Sequence, residues 1–309
     1  MKNEKEKEKI MIKKLSILLI CLTLILAAGC NSKDNNLTEG ERVFEDSLGN
    51  KVIVEKTPEK VISLSPAITE MLFALKLEDK IVGTTDYCDY PEAANHTPKM
   101  GGFNTPNMEL IVEAEPDLVF ISSGVQADLS ENFKKLGIKT FALDATTIDE
   151  VISNIELIGV LMDVEDNAKI MAEDMKVRKE FIEEKAKDLE KPLVFFEVWD
   201  EPLLSAGPNT FIADILNISG GINFAQDSNT DYPQVSLELL IEKDPDFYIA
   251  IDHKRNTDIS DRPGFEELKA IQNSKYYRIP DDFVTLPGPR IIEGLEKIAS
   301  IIHPEIFAE

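Results

Sequence analysis

Met108 to Ile121 reads MELIVEAEPDLVFI and Leu237 to Ala250 reads LELLIEKDPDFYIA, one fourteen-residue pattern stated twice with five identical positions. Glu109 answers Glu238, Leu110 answers Leu239, Glu113 answers Glu242, and Pro116-Asp117 answers Pro245-Asp246. Each copy spells a helix, a turn and a strand. Asn107 and Ser236 stand where an N-cap acceptor is wanted, the Pro-Asp pair ends the helix, and the apolar run after it has the length of a buried strand. The copies begin 129 residues apart, too far for a solenoid repeat, and predict a pseudo-symmetric pair of lobes.

The 309 residues suffice for two domains that each bury a core. The formal net charge of -24 would repel phosphates, which excludes nucleic acid as a partner and anionic lipid headgroups as a docking surface. At the N-terminus, Lys13 and Lys14 precede an uncharged run from Leu15 to Ala28. That run is short for a bilayer span and fits a cleaved export signal over residues 1–29. LAAGC resembles a bacterial lipobox, with Leu26 four residues before the Cys and Ala27 at the usual aliphatic position. The resemblance implies that Cys30 becomes the first mature residue, carries lipid, and anchors the chain to the extracytoplasmic face of the membrane. Residues 30–42 are polar and read as a tether. With Cys21 in the signal and Cys30 lipidated, Cys88 stands alone, so no internal disulfide is expected.

Val43 to Val54 alternates around Leu48-Gly49-Asn50, a hairpin, and Lys60 to Leu64 is a short buried strand. Ser65 and Pro66 open a helix with Ser as cap, which places Ile68, Met71, Leu72 and Leu75 on one face. Strand, loop, the first repeat copy, a helix near Leu129 to Leu136 and the strand KTFALD complete a first lobe, 43–146. Thr147 to Glu150 forms a capping box ahead of Ile148, Val151, Ile152, Ile155, Ile158 and Met162 at helical spacing. This helix, 147–163, lies midway between the repeat copies and reads as a rigid connection. The second lobe, 164–309, runs through a charge-rich helix, the strand PLVFFEVW, a helix entered through Gly207-Pro208, the second repeat copy, a strand at Tyr276 to Ile279 and a final helix from about Arg290 to Ile302. Alternating strands and helices predict an α/β fold with a parallel sheet in each lobe and ligand-binding loops at the carboxyl ends of the strands.

In their order, VISLSPAITEMLFAL, DYPEAA, MELIVEAEPDLVFISSG, LGIKTFALDATTIDEV, LLSAGPNTFIADILNISGG, YPQVSLELL and PGPRIIEGLEKIASIIHP resemble the substrate-binding lipoproteins of iron-siderophore and cobalamin ABC importers. The resemblance covers about Val43 to Pro304 and implies two α/β lobes joined by one rigid helix, with the ligand in the cleft between them. DYPEAA, DATTIDEV and YPQVS are most similar to the cobalamin binders. Carried onto this chain, that likeness implies Tyr87 and Phe103 from one lobe and Trp199 and Tyr232 from the other against the faces of a corrinoid, with Asp282 as an acidic contact; Arg290 of PGPR is a further candidate ligand-binding residue. It also implies that Glu109 and Glu238 pair with arginines on a permease dimer driven by its ATPase. A corrinoid would be cargo; no cofactor and no metal site is expected. Core packing of the aromatics, and a dipole role for each first-turn Glu, are the plain alternatives.

A ferric siderophore, usually anionic, would call for cations such as Arg255, Arg262 or Arg290. Haem would call for an axial ligand such as Tyr87, Met100 or His253. Direct zinc or manganese binding is disfavoured because the His residues at 96, 253 and 303 lack ligand spacing. No phosphate loop, nucleophile elbow or metalloprotease motif points to an enzyme. A lipoprotein that only binds another macromolecule would leave the paired lobes unexplained.

Overall fold

In the first sheet the strands β3 (Val61–Ser63), β4 (Ile81–Thr84), β5 (Leu118–Ser122) and β6 (Thr140–Leu143) are all parallel, in the order β4-β3-β5-β6. These come from a computed structural model that describes residues 41–252 and 258–307; the expected signal segment, the tether to residue 40, Cys30, His253 and Arg255 lie outside the described residues. A hairpin of β1 (Arg42–Glu45) and β2 (Lys51–Val54) precedes the sheet. Its turn is closed by the Asp46 carboxylate, which accepts from the Leu48 and Asn50 amides at 3.0 and 2.8 Å, and it joins β6 through Ser47 N to Ala142 O.

The helices of this lobe are α1 (Pro66–Ala74), α2 (Met108–Glu113) and α3 (Ala127–Lys135). Ser65 occupies the cap of α1 but its side chain makes no capping bond, contrary to expectation. The residues around it hydrogen-bond instead to its carbonyl, from Ser63 Oγ and Thr69 Oγ1. Pro66 at the first helical position still fits, since its fixed φ suits the helix and the N–H it lacks has no partner within the helix. The repeat copies fold as read: Asn107 Oδ1 accepts from the Glu109 and Leu110 amides, and Ser236 Oγ accepts from Leu239 N.

The connecting helix α4 (Ile148–Met162) is followed by α5 (Glu165–Ala186). Thr147 Oγ1 accepts from Glu150 N as a capping box requires. The reciprocal half is displaced by one residue, because Glu150 reaches the Thr146 amide while the Ile148 amide donates to Asp214 of the second lobe. Asp163 in the left-handed region turns the chain back, and α5 runs antiparallel along α4, with Ala168 beside Gly159 and Lys179 paired to Asp149.

Beyond it come β7 (Leu193–Asp200), β8 (Leu203–Ser205), α6 (Phe211–Ile218), β9 (Ile222–Asn223), α7 (Leu237–Lys243), β10 (Phe247–Ile251), α8 (Lys269–Gln272), β11 (Tyr276–Ile279), α9 (Ile291–Ile302) and α10 (Pro304–Phe307). The cap of α6 is Thr210, whose hydroxyl accepts from Ala213 N, and not the Gly207-Pro208 pair. β9-β7-β10-β11 repeats the order of the first sheet, with β8 added antiparallel along the outer half of β7. Two lobes of one topology therefore follow from the repeat.

Both sheets are buried on both faces, and successive strand residues serve different clusters. Phe120 and Phe141 face one way while Val119, Ile121 and Ala142 face the other; Phe196 and Ile249 likewise oppose Phe195 and Tyr248. One face of each sheet, together with α4, α5, α6 and α9, belongs to a single continuous core. The two lobes thus share a hydrophobic interior through the connecting helices.

Candidate functional site

In parallel sheets of this order, ligands sit outside the carboxyl ends of the strands, at the crevice where the chain changes direction. That crevice lies between β3 and β5 in the first lobe and between β7 and β10 in the second. The expected aromatics all stand on loops or strand ends near these points.

Tyr87 lies on the loop after β4 and is 65% exposed. Thr85 Oγ1 accepts its amide, the buried Cys88 thiol contacts the Thr69 and Thr85 hydroxyls at 3.2 Å, and Lys99 Nζ donates to the carbonyls of Cys88 and Ala94. A Cβ placed on Gly102 would lie 3.9 Å from Tyr87 Cε2, so the Tyr87 ring borders the loop that carries Phe103. Phe103 is partly exposed. In the second lobe Trp199 is the last residue but one of β7, with its indole N–H donating to Glu201 O at 2.9 Å. It lies across from Leu204 of β8, which in turn bridges to Gln234, two residues beyond Tyr232. Tyr232 is half-exposed, and partial burial together with the neighbouring Asp231 raises its hydroxyl pKa. The structure thus gathers two aromatic groups, Tyr87 with Phe103 and Trp199 with Tyr232, one on each lobe.

Asp282 and Arg290 also come together, at 3.3 Å, but the guanidinium is engaged inside the protein. Arg290 Nε and Nη2 reach both oxygens of Glu70, which is only 4% exposed, at 3.0 and 2.5 Å. The guanidinium also stacks 3.9 Å from the Tyr90 ring. Glu70 belongs to α1 of the first lobe, so this pair crosses between lobes. Burial raises the Glu70 carboxyl pKa, and the Arg290 hydrogen bond and charge oppose that rise. Arg262 is similarly committed: it forks onto Glu197, which also accepts from the Tyr248 hydroxyl, all beneath the second crevice. Among the residues that the sequence reading passed over, Glu70 and Glu197 are the important carboxylates. A charged residue on the apolar stripe of α1, and one amid the run VFFEV, were the available signals.

Glu109 and Glu238 are exposed in the first turns of α2 and α7. The carboxyl of Glu238 lies below the ordinary range because its own amide and the Ser236 hydroxyl donate to it. The repeat extends further upstream than the sequence reading noticed. Phe103 precedes Glu109 by six residues and the cap Asn107 by four, and Tyr232 precedes Glu238 and Ser236 by the same intervals. Each lobe therefore joins one aromatic to one exposed glutamate through a single short segment.

Comparison with known proteins adds the family. The model of the periplasmic binding protein family matches residues 61–283. A Bacillus subtilis (strain 168) chain named as an uncharacterized ABC transporter substrate-binding lipoprotein, YvrC, is 33% identical over 306 residues, covering 94% of this chain and 97% of its own. The crystal structure of the periplasmic vitamin B12 binding protein BtuF of Vibrio cholerae superimposes with a TM-score of 0.71 at 26% identity, covering 79% of this chain and 96% of that one. A possible iron-binding, periplasmic solute-binding protein from Staphylococcus epidermidis gives a TM-score of 0.71 at 30% identity, over 80% of this chain and all 100% of that one. No helix among the described residues is long and apolar enough to cross a membrane. With its two pseudo-symmetric lobes and this match, the chain belongs to the periplasmic binding protein family, the non-enzymatic substrate-binding components of ABC importers.

Proposed function

We propose that this protein captures a cobalamin-type corrinoid between its lobes and delivers it to an ABC permease, held at the membrane by lipid on Cys30. The observation that carries the ligand reading is the pairing of exposed aromatics on both lobes with two arginines, Arg262 and Arg290 among the described residues, that are already occupied. Tyr87, Phe103, Trp199 and Tyr232 offer ring faces to a large flat ligand, whose burial supplies affinity while a few polar groups such as Asp282 fix its orientation. An anionic ferric chelate would require cations, yet Arg262 and Arg290 are each forked onto a buried carboxylate. Their reassignment would leave Glu197 or Glu70 buried without a counter-charge. Arg290 acts in this reading as a strut between the lobes. Met100, a conceivable haem ligand, is buried against Gly83.

Titrating the mature chain with cyanocobalamin, haemin and a ferric siderophore decides among them. We expect cyanocobalamin to quench Trp199 emission and to co-elute with the protein. Co-elution of haemin or the iron chelate alone would replace the corrinoid reading with the ferric-siderophore or haem alternative. Lipid attachment has its own test: Cys30→Ala should move the protein from the membrane fraction to the soluble extracytoplasmic fraction, and an unchanged membrane fraction would refute the anchor.

Docking follows from the duplicated glutamates. Exposed carboxylates at matching positions on both lobes suit a permease with two matching halves, each presenting arginine, since two tethered contacts reinforce one another.

A further inference from the structure

The two aromatic segments are held in place by different means. The second-lobe segment is laced to β8 by backbone bonds, Ser205 N to Pro233 O, Val235 N to Leu203 O and Gly207 N to Asp231 O. In the first lobe the stem of the Phe103 loop is closed by Asn107 N to Met100 O. Its tip is tied to the sheet by a side chain. Gln126 is fully buried, and its amide nitrogen donates to Phe103 O and to Leu64 O, both at 2.7 Å, while its oxygen accepts from Ser122 N at 2.8 Å. Leu64 follows β3 and Ser122 ends β5, so this one amide bridges the ends of the two strands and ties the aromatic loop to them.

We propose that Gln126 is a positioning residue for the ligand, fixing Phe103 on the binding face without touching the ligand itself. A primary amide is well matched to that role, because it is neutral, offers two donors and an acceptor from one plane, and satisfies three backbone groups at once. Removing it leaves two carbonyls and an amide unpaired, and the loop tip is the element free to move toward water. The inference rests on the corrinoid reading for its ligand and on Phe103 for its mechanism.

A double-mutant cycle with cyanocobalamin tests it. Gln126→Leu should weaken binding about tenfold in the parent chain and no more than about twofold when Phe103→Ala is already present, because coupled sites are non-additive. A general structural defect would cost the same in both backgrounds and would overturn the inference. If Gln126→Leu does not fold, Gln126→Glu keeps the acceptor for Ser122 and removes the donors, and the same cycle applies. A second readout needs no ligand. With Phe103→Trp as the sole reporter in a Trp199→Phe background, either Gln126 substitution should lower the emission anisotropy of the reporter; unchanged anisotropy in a folded variant would refute the proposal. Failure of the parent chain to bind cyanocobalamin would sink the ligand reading, and the anisotropy would still decide the role of Gln126.

Discussion

Arg290→Met should lower the free energy of unfolding by about 3–5 kcal/mol, the usual consequence of leaving one member of a buried ion pair alone. Glu70 lies beside Ala67 and Gly288 and is only 4% exposed, so a lone carboxylate there would be largely removed from bulk water. The loss should depend on pH in a definite sense. The folded-state carboxyl already titrates above its ordinary value of 4.5, so the folded chain retains a proton that the unfolded chain releases. Its contribution is full below that ordinary value and declines as pH rises through the folded value. Without Arg290 the carboxyl moves higher still, and the variant should be most impaired at neutral pH and approach the parent toward pH about 4. Urea denaturation across that range measures it. Pairing Arg290→Met with Glu70→Leu should recover most of the loss, since a buried ion pair is commonly matched by apolar packing. A single variant within about 1 kcal/mol of the parent at neutral pH would show that Glu70 is solvated and the strut unimportant.

Glu109→Arg combined with Glu238→Arg should reduce ligand uptake at limiting concentration by at least about 100-fold while the ligand dissociation constant stays within about twofold. Each reversal sets a guanidinium against the arginine proposed on one permease half, and the two penalties combine because the lobes engage together. Either single reversal should leave a measurable fraction, as one contact still holds. Both glutamates are exposed and distant in role from the aromatic faces, so folding and cargo binding are controls within the same samples. Normal uptake by the double variant would remove these glutamates from docking; lost cargo binding would show that the substitutions disturb the segments leading back to Phe103 and Tyr232.

Local order was readable from the chain. Asn107, Thr147 and Ser236 sit ahead of apolar-periodic helices, and the Pro-Asp pairs mark where α2 and α7 give way to strands, because caps and turns depend on residues only a few positions apart. The duplication extended this to both sheets. What escaped notice depended on distance along the chain. Glu70 and Arg290 are separated by 220 positions, and nothing local says that a glutamate on an apolar stripe will meet an arginine ahead of the last long helix. Arg290 could be foreseen as a cation near the site, but whether a cation faces cargo or a buried carboxylate is decided by tertiary packing. Gln126 lies in a short loop with no periodicity, and its partners come from three separate segments. Ser65 shows the reverse error, a correct cap position whose side chain makes no capping bond, while its carbonyl accepts from Ser63 and Thr69.

The core that runs unbroken through both lobes also bears on how the molecule can be divided. On paper the chain looks like two interchangeable halves. A fragment ending before α4 would nevertheless lose Ile148, Val151, Ile155 and Ile158 from the core that holds Phe120, Phe141 and Leu143, and a fragment beginning after it would lose them from the core that holds Phe196, Ile215 and Ile249. Each half keeps helices of its own on that core, α1 in the first and α5, α6 and α9 in the second, but neither keeps all of it. The duplicated pattern therefore describes how the chain is written, whereas the folded object is held by one core that a cut at α4 would divide.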